Sequence, residues 1–152
     1  MGETKTHRGY LSSVISCRCP RCREGKLFKN PISPSLKKTM DMHKNCPVCG
    51  QATELEVGFY YGTSYVSYGL TIAISVASLI IWWLTIGISI DDNRFFYWFG
   101  CNAILLFLLQ LWLMRFSRSM WISWFVHYDV DWKDRQPEDV SERTNPDQGA
   151  NW

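Results

Sequence analysis

Five of the six cysteines in this 152-residue chain fall near its N-terminus. They read Cys17-Arg-Cys19-Pro-Arg-Cys22 and, after 23 intervening residues, Cys46-Pro-Val-Cys49-Gly. Two CxxC pairs at this separation suit tetrahedral zinc held by four thiolates, Cys19, Cys22, Cys46 and Cys49. Each pair sits in a CP-x-C segment of the zinc-knuckle kind, a tight turn whose backbone N–H groups point at sulfur. Gly50 supplies backbone freedom after the second pair. Arg23 stands at the equivalent place in the first.

Zinc with four thiolates carries a formal charge near −2. Arg18, Arg21, Arg23, Lys26 and Lys44 surround the cysteines in sequence and would offset it. Nearby cations also favour the thiolate form. With four protein ligands no position stays open for catalysis, so the zinc reading is structural, with metal binding coupled to folding. Cys17 is a spare thiol beside the site, and His43 could replace a cysteine. Two other chemistries use the same residues. A dithiol redox centre is one, although paired CxxC motifs in a reducing compartment point to metal. Copper handling is the other, because soft thiolates suit Cu(I).

The elements that must position this cluster are set by two apolar runs. Residues 66–90, VSYGLTIAISVASLIIWWLTIGISI, and 95–114, FFYWFGCNAILLFLLQLWLM, contain no charged residue. About 20 apolar residues as a helix cross about 30 Å of hydrocarbon. The spacing predicts two transmembrane helices joined by a connector over 91–94. The expected fold is therefore an all-α membrane hairpin. It carries a small zinc-ribbon-like module over 17–57, after an N-terminal segment 1–16. No cleavable signal peptide is expected, because the N-terminus has no long apolar stretch.

Ten of the 16 Lys and Arg residues precede the first run, one (Arg94) lies in the connector and five follow the second run. The positive-inside rule places both termini in the cytoplasm. The segment between the knuckles is basic and broken by Pro31 and Pro34. Leu27 and Phe28 are expected to cover the metal site. Aromatic residues do not alternate with the basic ones there, so the segment reads as a solvated face near anionic headgroups, with no nucleic-acid partner.

Residues 58–65 form an aromatic neck. As a helix, Tyr61, Tyr65 and Tyr68 share one face, at home among headgroups or on a partner. Asn102 and Gln110 are polar exceptions in the second run, with Ser75, Ser78 or another subunit as expected partners. Residues 115–128 read as an amphipathic helix lying in the interface, with Arg115 and Arg118 on phosphates. Residues 129–152 form an acidic tail, seven acidic residues against three basic, expected to be disordered unless Trp132 or Trp152 anchors it to a partner. His7 and His127 stand alone.

CPRCREGKLF, NCPVCG and EVGFYYGTSYVSYGL, followed by two spans, together resemble domain-of-unknown-function family 983 over residues from about Cys19 to Tyr128. The neck phrase is of the Bacteroidota type. The resemblance implies a small bacterial inner-membrane protein, and in some bacteria genes of the family lie among those for cytochrome c oxidase and its assembly factors. The family pattern has CPxCG-x-G at the first knuckle. Here Arg23 replaces the first glycine, while Gly25 is kept.

Together these features lead to the expectation of a non-enzymatic accessory subunit or assembly factor. Its partners would be membrane lipid and a larger integral membrane complex, a respiratory oxidase favoured. Delivery of copper or zinc for oxidase maturation is the alternative. No Asp, Glu or His lies in either run, which argues against a pump acting alone. No nucleophile–base pair, phosphate loop or small-molecule substrate site is evident.

Overall fold

A computed structural model describes residues 9–87 and 92–144. His7, the end of the first apolar run with Asp91 of the connector, and the Trp152 anchor lie outside the described residues. Among the described residues the fold is helical, with isolated bridges and no strands. Its elements are α1 (Tyr10–Ile15), α2 (Leu36–Met40), a single 3₁₀ turn (Phe59–Gly62), α3 (Thr63–Thr85) and α4 (Arg94–Phe125).

Two of these, α3 with its leading turn and α4, are long and apolar enough to cross a membrane. They pair antiparallel, and hydrogen bonds fix their register at two levels. Ser67 Oγ donates to Ser117 Oγ at 2.8 Å. Farther along, Ser78 Oγ donates to Asn102 Oδ1 at 3.0 Å and Asn102 Nδ2 donates to Ser75 Oγ at 3.2 Å. Trp98 Nε1 adds a 3.2 Å bond to Ser78 Oγ. The expected partnership of Asn102 with these serines is present, while Gln110 is exposed. The outer faces of both helices stay bare, with Ile81, Leu84, Phe107 and Leu108 all exposed.

The first apolar run does not stay helical to its end. α3 stops at Thr85 because Gly87 takes a left-handed φ of 81°. Its N–H then closes on Trp83 O at 3.1 Å, satisfying a carbonyl that the helix leaves open.

The second run differs in the opposite direction. The expected interfacial helix over 115–128 is not a separate element, since α4 continues unbroken through Phe125. Arg115 to Phe125 adds about 15 Å beyond the apolar run at 1.5 Å per residue. The N-terminal module wraps this extension. Arg115 and Arg118 do not reach outward but are buried, as are Ser117, Ser119, Ile122 and Ser123. α1 lies along the serine face, where Ser119 Oγ donates to Val14 O at 2.9 Å and Tyr10 Oη bonds Ser123 Oγ at 2.9 Å.

The neck locks onto the same extension. Trp121 Nε1 donates to Phe59 O at 2.8 Å, and Phe59 packs its ring against Trp121, Tyr60 and Phe125. A Cβ at Gly62 would overlap the Trp121 indole, so only glycine permits this approach. Tyr61, Tyr65 and Tyr68 point away and are 77%, 80% and 69% exposed.

Candidate metal centre

The site is built from two similar turns. In the first, Arg23 N–H donates to Cys19 O at 2.8 Å and Cys19 N–H to Gly25 O at 2.8 Å. In the second, Gly50 N–H donates to Cys46 O at 3.0 Å and Cys46 N–H to Gln51 O at 2.8 Å. Both turns end in a left-handed residue, Gly50 at φ 71° and Arg23 at φ 58°. The arginine at the glycine position thus leaves the turn geometry intact, at the cost of about 1 kcal/mol that a non-glycine residue meets in this region. The Arg23 guanidinium lies 4.2 Å from the centroid of the Tyr128 ring, which anchors the side chain.

The turns bring Cys19, Cys22, Cys46 and Cys49 together, with all four sulfurs within 4.8 Å of one another. Cys19 and Cys49 Sγ are 3.7 Å apart and Cys22 and Cys46 Sγ 3.8 Å. A tetrahedron with metal–sulfur bonds of ~2.3 Å has edges of about 3.8 Å. The spacing therefore fits a metal ion, and it is far from the ~2.05 Å of a disulfide. Gly25 N–H points at Cys22 Sγ at 3.5 Å, as a knuckle amide should. These four cysteines could hold a metal ion, and among the described residues no other group of His, Cys, Asp or Glu could. Cys17 and His43 are not members of the cluster.

Thiols this close cannot all ionise without a cation. Hydrogen bonding with Cys19 above all, and with Cys46 and Cys49, holds the Cys22 thiol far below its usual range. Cys19 is pushed up by the same contacts, chiefly that with Cys22. Burial pushes the outlying Cys17 thiol up to about 11, against the charge of Arg115. A divalent cation would replace the shared protons and ionise the cluster.

The cluster packs into an apolar core. Leu27 and Phe28 cover the cysteines as expected, and Ile122 of the α4 extension and Val126, just past its end, join the same core. Sequence reasoning missed these last two. Of the flanking cations, Arg21 is buried beside Cys22, while Lys26 and Lys44 are exposed. Arg21 Nη2 pairs with Asp129 Oδ2 at 3.3 Å and donates to Arg135 O at 2.7 Å. Asp129 N–H returns a bond to Arg21 O at 3.2 Å. The start of the acidic tail is therefore fixed to the first knuckle, contrary to the expectation of disorder, and Val140 farther along is buried.

Two arginines join the module to α4. Arg115 Nε donates to Thr39 O at 2.8 Å, its Nη2 donates to Asn30 O, and the guanidinium lies 4.5 Å from the Phe28 ring centroid. Arg118 Nη1 donates to Met40 O at 3.3 Å, and its guanidinium lies 5.2 Å from the Tyr60 centroid.

Comparison with known proteins returns no matching family model, curated protein or solved structure.

Proposed function

We propose that this chain is a non-enzymatic integral membrane accessory protein with one structural zinc. The observation that carries the reading is the shared core of the metal cluster and the α4 extension. Cys19, Cys22 and Cys46 pack with Ile122 and Val126, so filling the site would rigidify a platform built directly onto the hairpin. α3 and α4 would span the membrane, with the platform and both termini in the cytoplasm.

The spans carry bare aromatic and aliphatic faces, and the polar groups that meet across the hairpin satisfy one another as a clasp. This supports a subunit or assembly factor of a larger inner-membrane complex over a transporter. The resemblance to family 983, and its gene association with cytochrome c oxidase, makes a respiratory oxidase the favoured host. Burial of three of the four cysteines, with Cys17 outside the cluster, supports holding a metal over passing copper or zinc onward.

Purification from native membranes in mild detergent tests the reading. Co-purification of an integral membrane complex, with zinc in the small subunit, is the expected outcome. Migration only as a lone small protein would contradict it.

A further inference from the structure

The segment between the knuckles is held at a defined level along α4. Arg115 directly follows the apolar run that ends at Met114, so it marks the edge of the hydrocarbon. From Arg94 to Arg115 the helix rises about 32 Å, against about 30 Å of bilayer core. Arg115 donates to the carbonyls of both Asn30 and Thr39. The eight residues between them, Pro-Ile-Ser-Pro-Ser-Leu-Lys-Lys, are therefore pinned at both ends at the depth of the membrane edge.

The loop is also closed internally. Ser33 N–H donates to Thr39 Oγ1 at 2.9 Å, and that hydroxyl donates to Ser33 O at 2.6 Å. Asn30 Nδ2 adds a bond to Lys38 O at 3.2 Å. Pro31 and Pro34 restrict its backbone further. On this rigid frame Ile32 and Leu36 are 50% and 56% exposed, and Lys37 and Lys38 are exposed with no ion pair among the described residues. Lys29, by contrast, is paired with Asp41 at 2.8 Å.

We infer that residues 31–38 form a preformed lip that seats in the anionic headgroup layer, with Ile32 and Leu36 at the acyl boundary and Lys37 and Lys38 on lipid phosphates. Two apolar side chains and two free ammonium groups, on the closed loop and the first turn of α2 that follows it, match an anionic lipid surface in both hydrophobicity and charge. The inference rests on the reading of α3 and α4 as membrane spans.

The full chain, reconstituted in nanodiscs of mixed phosphatidylglycerol and phosphatidylcholine, carries benzoylphenylalanine in place of Leu36, Phe107 or Val130 in turn. Phe107 is 82% exposed on α4 and reports the span, and Val130 is 72% exposed beyond the end of α4. Irradiation and mass spectrometry then count lipid adducts. The expected result is adducts at Leu36 and Phe107 but not at Val130, with phosphatidylglycerol enriched at Leu36 over Phe107. Lys37→Ser with Lys38→Ser should lower that enrichment by roughly fivefold per lysine, with metal content unchanged. Adducts at Phe107 without adducts at Leu36 would overturn the lip and leave the spans standing. Leu36 cross-linked to a second copy, or no enrichment sensitive to the lysines, would overturn it too. No adduct at Phe107 would remove the spans and the lip together.

Discussion

The guanidinium of Arg115 stacks over the ring of Phe28, 4.5 Å from its centroid. Phe28 belongs to the cluster core, and Arg115 to the long helix α4, directly after its apolar run. Through this contact and the two carbonyls that Arg115 serves, the metal module and the hairpin share one packed unit.

Replacing Arg115 tests the joint. Arg115→Met keeps much of the stem volume but leaves Thr39 O and Asn30 O without their donor. Hydrogen bonds to a charged group contribute about 1.5–3 kcal/mol each, and a buried carbonyl left unpaired costs more than a bond never made. The expected outcome is faster protease cleavage within 29–40 at retained zinc content. Limited proteolysis with mass mapping checks it, and Arg115→Lys should rescue only in part, because ammonium cannot stack and fork as guanidinium does.

Gly25 faces Cys46. A Cβ at Gly25 would overlap Cys46 Sγ, and a metal-bound sulfur cannot move aside. Gly25→Ala should therefore lower zinc retention strongly. Gly50→Ala meets only an ordinary van der Waals contact with Pro137 at 3.7 Å and the strain of φ 71°, about 1 kcal/mol. Zinc competition with a chromophoric chelator should rank wild type above Gly50→Ala and Gly50→Ala above Gly25→Ala.

Removal of the metal should loosen a bounded region. Ile122 and Val126 share the core of the thiols, whereas Ser75, Ser78 and Asn102 lie far along the hairpin. Hydrogen exchange after chelation is expected to rise in residues 17–57 and in the α4 extension from about Arg115 to Val126. Amides around Asn102 should keep their protection.

The Asn102 clasp has its own energy. Polar contacts between membrane helices contribute about 0.6–2 kcal/mol. Asn102→Leu strands Ser75 and Ser78 hydroxyls, which can still bond the Thr71 and Ser75 carbonyls of their own helix. The expected loss of hairpin stability is thus near the lower figure, measurable by reversible unfolding in mixed micelles, with zinc content unaffected.

Much of this site is legible in the residues themselves. CxxC spacing names the four sulfurs, and uncharged runs name the two long helices, because both are local signals. The joint between them is not local. Arg115, Arg118, Trp121 and Trp124 repeat with the same period whether a helix lies on lipid or is wrapped by another part of the chain. Only the serines hint at the second case. Ser119 and Ser123 stand four apart and are small enough to admit α1, and Ser117 admits α3. Arg23 is a further example, since nothing in its side chain announces a left-handed backbone. The tail composition favours disorder, but the composition does not reveal that Arg21 will find Asp129 across more than a hundred residues.

The central claim is that Cys19, Cys22, Cys46 and Cys49 together hold one metal ion that completes the platform on α4. Native mass spectrometry of the detergent-solubilised protein, paired with elemental analysis, tests it most directly. One zinc per chain is expected in the wild type and in Cys17→Ser, and its loss in Cys46→Ser. A wild-type chain purified without metal, or a Cys46→Ser chain that keeps a full equivalent, would contradict it.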